Sequence, residues 1–199
     1  ALLVAILETL GLNADLFAVR LSDRTTWVHF LDALGVCSCV VKKPEQLAGV
    51  DGLIFPGGES TTLIKLMDSW AFWEPLRQFA AAKPVFGTCA GMILLAKNVA
   101  NPPQRSLVLI DIDVERNSYG RQVDSFEGTG TFGADEHSLE IPMIFIRAPR
   151  IARLGEGVEA LATCRGDVVM ARQGHTIVAS FHPELTNDLS VHQYFVDSI

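Results

Sequence analysis

Val85-Phe86-Gly87-Thr88-Cys89-Ala90-Gly91-Met92-Ile93-Leu94-Leu95 decides how this chain is read. Val85–Phe86 reads as a short apolar strand bounded by Pro84 and Gly87, and Ala90–Lys97 as a helix. Between them, Gly87-Thr88-Cys89-Ala90-Gly91 has the small-x-nucleophile-x-small order of a nucleophile elbow, with cysteine in the serine position. Gly87 and Gly91 would let strand and helix approach closely enough to make the bend. The helix N-terminus beneath Cys89 favours a thiolate, the reactive form of the side chain. The backbone N–H of Ala90 would point to where an oxyanion forms. The competing reading is an ordinary buried cysteine between glycines that a tight turn requires.

Working outward, continuous apolar runs at Leu2–Leu7, Val36–Val41 and Gly52–Phe55 read as further strands. They alternate with helical patterns at Thr26–Leu34, Thr61–Trp70 and Trp73–Ala82. In Thr61–Trp70, Leu63, Leu66, Met67 and Trp70 fall at helical spacing and form a core stripe. Continuous apolar strands suit a parallel sheet covered on both faces. The expectation is an α/β fold of three layers, a mostly parallel central sheet flanked by helices. The second half changes character: Leu107–Glu115, Ile141–Ile146, Gly157–Cys164, Val168–Gln173 and Thr176–Phe181 read as strands. Arg165-Gly166-Asp167 and Gln173-Gly174-His175 read as hairpin turns, and Asn117–Gly120 as turn-rich. Ser125–Leu139, rich in Gly, Ser, Thr and acidic residues, reads as a mobile loop. Leu189–Ser198 closes the chain as a helix capped by Asn187 or Asp188. No linker or repeat interrupts the 199 residues, so one domain over 1–199 is expected.

Composition narrows the classes of function. Hydrophobic residues make up 49% and charged residues 20%, enough for a core and against disorder. Sixteen Lys and Arg stand against 23 Asp and Glu, a formal net charge of −7 without a basic run. Nucleic acid and anionic membrane are therefore poor partners. Apolar stretches fall far short of the roughly 20 residues of a membrane span. No basic region precedes the first apolar run, so no secretory signal is expected. Four cysteines do not make a disulfide scaffold at this length. These features lead to the expectation of a soluble protein of a reducing, cytoplasmic compartment.

A cysteine nucleophile needs a general base, and the base needs an orienting acceptor. Ser180-Phe181-His182-Pro183-Glu184 supplies both at the end of a predicted strand. In a parallel sheet functional residues gather at the carboxyl ends of strands, where both motifs would sit. Pro56-Gly57-Gly58-Glu59-Ser60-Thr61-Thr62 comes after another strand and precedes a helix that Ser60 or Thr61 can cap. It lacks the Gly-Lys-Ser/Thr ending of a phosphate loop, which disfavours a nucleotide. Arg116 and Arg147 each come after an apolar strand, where a guanidinium can bind a carboxylate. Cys37 and Cys39 share one strand face with no His/Cys cluster beside them, and Cys164 reads as structural. His29, His137, His175 and His192 read as loop or amphipathic-helix residues without a role.

Taken together, these residues resemble the class I glutamine amidotransferases, a family of flavodoxin-like α/β proteins with a Cys–His–Glu triad. Gly52–Thr62, Gly87–Gly91, Glu115–Phe126, Phe145–Pro149 and Ser180–Asp188 narrow the resemblance to the glutaminase subunits of pyridoxal 5′-phosphate synthases. Arg116-Asn117-Ser118-Tyr119-Gly120-Arg121-Gln122-Val123-Asp124-Ser125-Phe126 is the most specific segment, and the resemblance runs from about Lys42 to the C-terminus. It implies Cys89 as nucleophile, His182 as base and Glu184 as its orienter. It implies glutamine binding by Gly58, Glu59, Ser60, Arg116, Ile146 and Arg147, with oxyanion donors at Gly58 and Ala90. It further implies hydrolysis of L-glutamine to L-glutamate and ammonia, without metal or cofactor. The ammonia would pass to a (β/α)₈-barrel synthase subunit that makes the vitamin B6 cofactor.

The resemblance departs after the first strand. The family carries a Gln-Gly pair there, whereas this chain has Leu7-Glu8-Thr9-Leu10-Gly11 and a longer connection to Val36. A carboxylate at Glu8 cannot donate the hydrogen bond of an amide. Two other readings stay open: a stand-alone cysteine hydrolase of γ-glutamyl bonds, and a non-catalytic binding subunit of the synthase. Because Cys89 alone sits in an elbow, a glutamine-derived electrophile is expected to label Cys89 and spare Cys37, Cys39 and Cys164. Peptide mapping by mass spectrometry checks this, and equal labelling of all four would refute it.

Overall fold

Gly52–Phe55 (β3), Val85–Thr88 (β4) and Thr176–Ala179 (β12) are buried at every position, as strands covered on both faces must be. The computed structural model describes residues 3–7, 20–116, 125–133 and 138–199, with 3–7 and 20–26 described as backbone. Leu3–Leu7 (β1) pairs in parallel with Cys37–Val41 (β2) and with β3; β3 then pairs with β4, and β4 with β12. From β12 the sheet continues antiparallel through Asp167–Gln173 (β11), Glu159–Cys164 (β10), Phe126–Phe132 (β7) and Leu139–Phe145 (β8). The full order is β2-β1-β3-β4-β12-β11-β10-β7-β8. The parallel part is the α/β sheet read from the sequence, and the antiparallel extension is built from the strands of the second half.

Alternation along the central strands sends side chains to two separate cores. Leu53, Phe55, Val85 and Val178 join one, with Leu63 and Met67 of Ser60–Ser69 (α2) and Leu76 of Trp73–Ala80 (α3). Met92, Leu94 and Leu95 of Ala90–Leu95 (α4) belong to the same core. Ile54, Phe86 and Ile177 point the other way, onto Trp27 and Leu31 of Arg20–Ala33 (α1) and Phe195 of Ser190–Asp197 (α5). Each fully buried aliphatic or aromatic side chain contributes about 1.5–3 kcal/mol, which is what holds helices on both faces. A second, three-stranded sheet of Ala96–Ala100 (β5), Ile110–Glu115 (β6) and Arg150–Leu154 (β9) lies against the first core through Ile110, Ile112, Val114 and Ile151.

Several local expectations are corrected. The helix read over Ala90–Lys97 stops at Leu95, where Ala96 turns extended and opens β5. Ser125–Leu139 is not a loop over its length: Phe126–Phe132 is β7, paired residue by residue with β8. Gly130 serves close packing, since a Cβ there would lie 2.6 Å from the Thr163 carbonyl oxygen and from Met143 Sδ. β9, unforeseen, is tied down when Arg153 bridges Asp113 at 2.9 Å and Asp111 at 2.6 Å. Arg165 and Gly166 both take positive φ, +53° and +87°, giving the two-residue hairpin turn expected between β10 and β11. Asp188, one of the two caps read for the last helix, accepts the Ser190 N–H at 2.8 Å. Glu8, Thr9, His137 and the Asn117–Gly120 turn lie outside the described residues. Among those residues, no helix is long and apolar enough to cross a membrane.

His192 reads in the sequence as a residue of an amphipathic helix without a role, but it is fully buried. Its ring lies 4.8 Å from that of Trp27 and 4.5 Å from that of Phe30. Burial disfavours the charged imidazolium and pushes the pKa from 6.5 down to about 4, against the opposing pull of Glu184 and Asp188. Between those two values the unfolded chain binds the extra proton, so this contribution is full above pH 6.5 and lost as pH falls through about 4. The loss amounts to about 3 kcal/mol. Urea unfolding of the parent and of His192→Leu from pH 7 to pH 4 is expected to show a steeper acid loss in the parent. Parallel curves would contradict the burial argument.

Candidate active site

The register of the parallel pairs assembles the site. Phe55 pairs with Gly87 and Thr88 with Ala179, so three strands end level with one another. Each strand runs on into one of the three motifs: Pro56–Thr62, the Cys89 elbow, and Ser180–Glu184. The carboxyl edge of the sheet thus gathers segments that lie far apart in the chain.

Cys89 adopts φ +49° and ψ −104°, a conformation an L-residue holds only under external constraint. Its N–H donates to the Ala179 carbonyl at 2.9 Å and its own carbonyl accepts from Ile93 at 3.3 Å. Both flanking glycines are required by space. A Cβ on Gly87 would stand 2.7 Å from the Gly91 carbonyl carbon and 2.8 Å from Leu95 Cδ1, and one on Gly91 would collide with the Phe55 carbonyl. Cys89 is 8% exposed, in contrast to the exposed Cys37. Cys164 is also buried, but its Sγ faces the Thr129 carbonyl at 3.7 Å, and burial raises its pKa.

His182 and Glu184 are 4% and 0% exposed, and His182 Nδ1 meets Glu184 Oε1 at 2.7 Å. Accepting a hydrogen bond from Nδ1–H, the carboxylate leaves Nε2 for the Cys89 side chain, which is within hydrogen-bonding reach of the ring. Burial works against the imidazolium. Hydrogen bonds to Cys89 and Glu184 outweigh it, and the His182 pKa stands well above 6.5. The turn is fixed from outside as well, because the His182 N–H donates to the Ile144 carbonyl of β8 at 2.8 Å. Pro183 opens a short 3-10 turn, closed when the Thr186 hydroxyl donates to the Pro183 carbonyl at 3.1 Å.

The remaining candidates fall into two groups. Gly58 takes φ +132°, and Glu59, rather than Ser60 or Thr61, caps α2, its carboxylate accepting from Thr61 N–H at 3.4 Å. Arg116, 14% exposed at the end of β6, reaches Glu59 at 3.6 Å. Ser60 is buried and donates to Gln104 Oε1 at 2.9 Å. Sequence reasoning misses Gln104, which sits in an irregular stretch with no periodicity to mark it. Ile146 and Arg147 stand just past the end of β8, Arg147 at φ +46° and exposed. They lie two and three residues beyond the Ile144 carbonyl that anchors His182. Ala90 opens α4, directly after the elbow. Among the described residues no group of three or more His, Cys, Asp or Glu could hold a metal.

Gly57 matters for room rather than for backbone freedom, since a Cβ there would run into Cε1 of the His182 ring. Gly57→Ala is therefore expected to displace the imidazole while leaving the circular dichroism spectrum unchanged. The low-field proton resonance of the His182–Glu184 hydrogen bond should disappear, and Cys89 should alkylate more slowly by up to about 10²-fold. An unshifted resonance would show that the loop yields instead.

Residues 22–199, which include all three motifs, match the SNO glutamine amidotransferase family. The pyridoxal 5'-phosphate synthase subunit PdxT of Thermosipho africanus is 54% identical over 170 residues, covering 85% of this chain and 89% of its own. The subunit of the same name from Geobacillus kaustophilus is 50% identical over 181 residues, covering 86% and 87%. A solved structure described as a glutamine amidotransferase superposes with a TM-score of 0.85 at 39% identity, over 98% of this chain and 97% of its own. With nearly its whole length matched, this chain belongs to the SNO glutamine amidotransferase family.

Proposed function

We propose that this chain, acting over 1–199 as one glutaminase domain, hydrolyses L-glutamine to L-glutamate and ammonia through Cys89, His182 and Glu184. The observation that carries the reading is the strained elbow at Cys89 set beside the buried 2.7 Å His182–Glu184 pair. The raised His182 pKa favours an imidazolium next to the sulfur, the partner that a thiolate nucleophile requires.

The Cys89 thiolate attacks the side-chain carboxamide carbon of glutamine. The tetrahedral oxyanion rests on the N–H groups of Gly58 and Ala90. The intermediate collapses when His182 gives its proton to the leaving nitrogen, releasing ammonia and leaving a γ-glutamyl thioester on Cys89. His182, now neutral, takes a proton from water, which attacks the thioester and frees glutamate and the thiolate. Glu184 holds the ring and stabilises its charge in both halves. The Glu59–Arg116 pair offers one carboxylate and one guanidinium side by side, suited to the ammonium and carboxylate of an amino acid. Ser60, Ile146 and Arg147 complete the glutamine pocket.

The names of the relatives support a partner. As subunits of pyridoxal 5′-phosphate synthase, they favour delivery of the ammonia to another subunit of such a synthase; we extend this to a (β/α)₈-barrel subunit in a cytoplasmic hetero-oligomer. The reaction as written uses only side chains and backbone of this chain.

Ammonia release from glutamine, with and without a cognate synthase subunit, tests the reading. Cys89→Ala is expected to abolish turnover with the fold intact. His182→Asn should cost at least about 10³-fold, because nucleophile and base act as one unit. Glu184→Gln should be milder, since orientation of the imidazole is only partly lost. Retained turnover in Cys89→Ala or His182→Asn would refute the triad.

A further inference from the structure

Beneath α1, polar atoms of three buried residues lack a well-formed hydrogen bond among the described residues: Trp27 Nε1, both ring nitrogens of His192, and Glu184 Oε2. All three residues are 0% exposed. They share one neighbourhood. α1, which carries Trp27 and Phe30, packs on the turn that carries Glu184. The His192 ring is held 4.8 Å from Trp27 and 4.5 Å from Phe30, and it feels the charge of Glu184.

Glu184 spends Oε1 on His182, so its second oxygen is a buried anionic acceptor in need of a donor. The unpaired donors beside it are the indole N–H of Trp27 and the N–H of His192. His192 is buried in its neutral form and carries one N–H. The Glu184 carboxylate, the Asp188 carbonyl and the Asp188 carboxylate are the groups that draw on it. An apolar clamp of two aromatic rings around an imidazole is costly unless that N–H is used.

We propose that His192 is a positioning residue of the active site: its N–H serves the second oxygen of Glu184 through one bridging water, and so fixes the carboxylate against His182. Trp27 and Phe30 hold the imidazole in place, which makes α1 part of the support of a site that it does not line. The proposal rests on the triad reading above, with His192 acting one step behind it.

The test measures kcat and KM for ammonia release by the full chain with its cognate synthase, together with thermal melts. His192→Leu fills the clamp without a donor, whereas His192→Gln keeps an N–H. His192→Leu is expected to hold the melting temperature at neutral pH but lower kcat about tenfold, with KM changed by less than about twofold. His192→Gln should recover part of that rate. Added to Glu184→Gln, His192→Leu should cost nothing more, because the group it positions is already lost. Should His192→Leu stay within about twofold of the parent while Glu184→Gln is impaired, the proposal falls and the triad stands. Full activity in Glu184→Gln would instead bring down the triad reading itself. Equal losses in both His192 variants, tracking a fall in melting temperature or loss of the fold, would make His192 a packing residue and overturn the proposal.

Discussion

The N–H of Cys89 donates to the Ala179 carbonyl at 2.9 Å, across the parallel pairing of β4 with β12, and the site hangs from that bond. It pins the strained residue to the strand that runs on into Ser180–Glu184, so the sulfur and the imidazole are placed by one register. A slip of one residue would turn every side chain of β12 to the opposite face, sending Val178 out of one core and Ile177 and Ala179 out of the other. Packing on both faces therefore enforces the register, and the register enforces the chemistry. The backbone strain at Cys89 is tolerated because Gly87, Gly91 and Phe55 are already pressed together there.

Two buried histidines near one carboxylate show how contact decides charge. His182 hydrogen-bonds Cys89 and Glu184 and is held well above 6.5, while His192 feels the same carboxylate without a formed bond to it and falls to about 4. Burial penalises the cation in both cases, and it is outweighed only where the thiol and the carboxylate both bond the ring. The outcome is an imidazole favoured in its protonated form beside the sulfur and a neutral ring behind the carboxylate.

The second sheet has a positional task. β6 delivers Arg116 to Glu59, and the Arg116 N–H is in turn fixed by the Ala100 carbonyl of β5 at 3.1 Å. Arg153 bridges Asp111 and Asp113 across the β6–β9 pair, on a face away from the first core. An arginine and a glutamate 57 positions apart thus stand together because a small sheet is clamped over the helices of the first core.

The motifs that bear chemistry were legible in the chain because each is a local statement about backbone. Gly87–Gly91 demands an elbow between strand and helix, Pro183 stiffens the turn between His182 and Glu184, and buried strands must be continuously apolar. Fully buried and largely apolar, β3 and β12 could be recognised from short runs for that reason. Long-range relations were not legible. Nothing near Gly57 announces that its missing side chain makes room for His182, and nothing near Gln104 that it takes the hydroxyl of Ser60. β7 reads as a loop because its glycines mimic flexibility, although Gly130 is there to let β8 and β10 come close. His192 looks like one polar residue of an amphipathic helix until α1 is laid over it. Sequence by itself determined the residue types and the turns that hold them, since dihedral preference and hydrophobic period act within a few residues. Tertiary structure alone decided which of these groups face one another and which histidine carries charge, since burial and hydrogen bonding depend on neighbours brought together from distant parts of the chain.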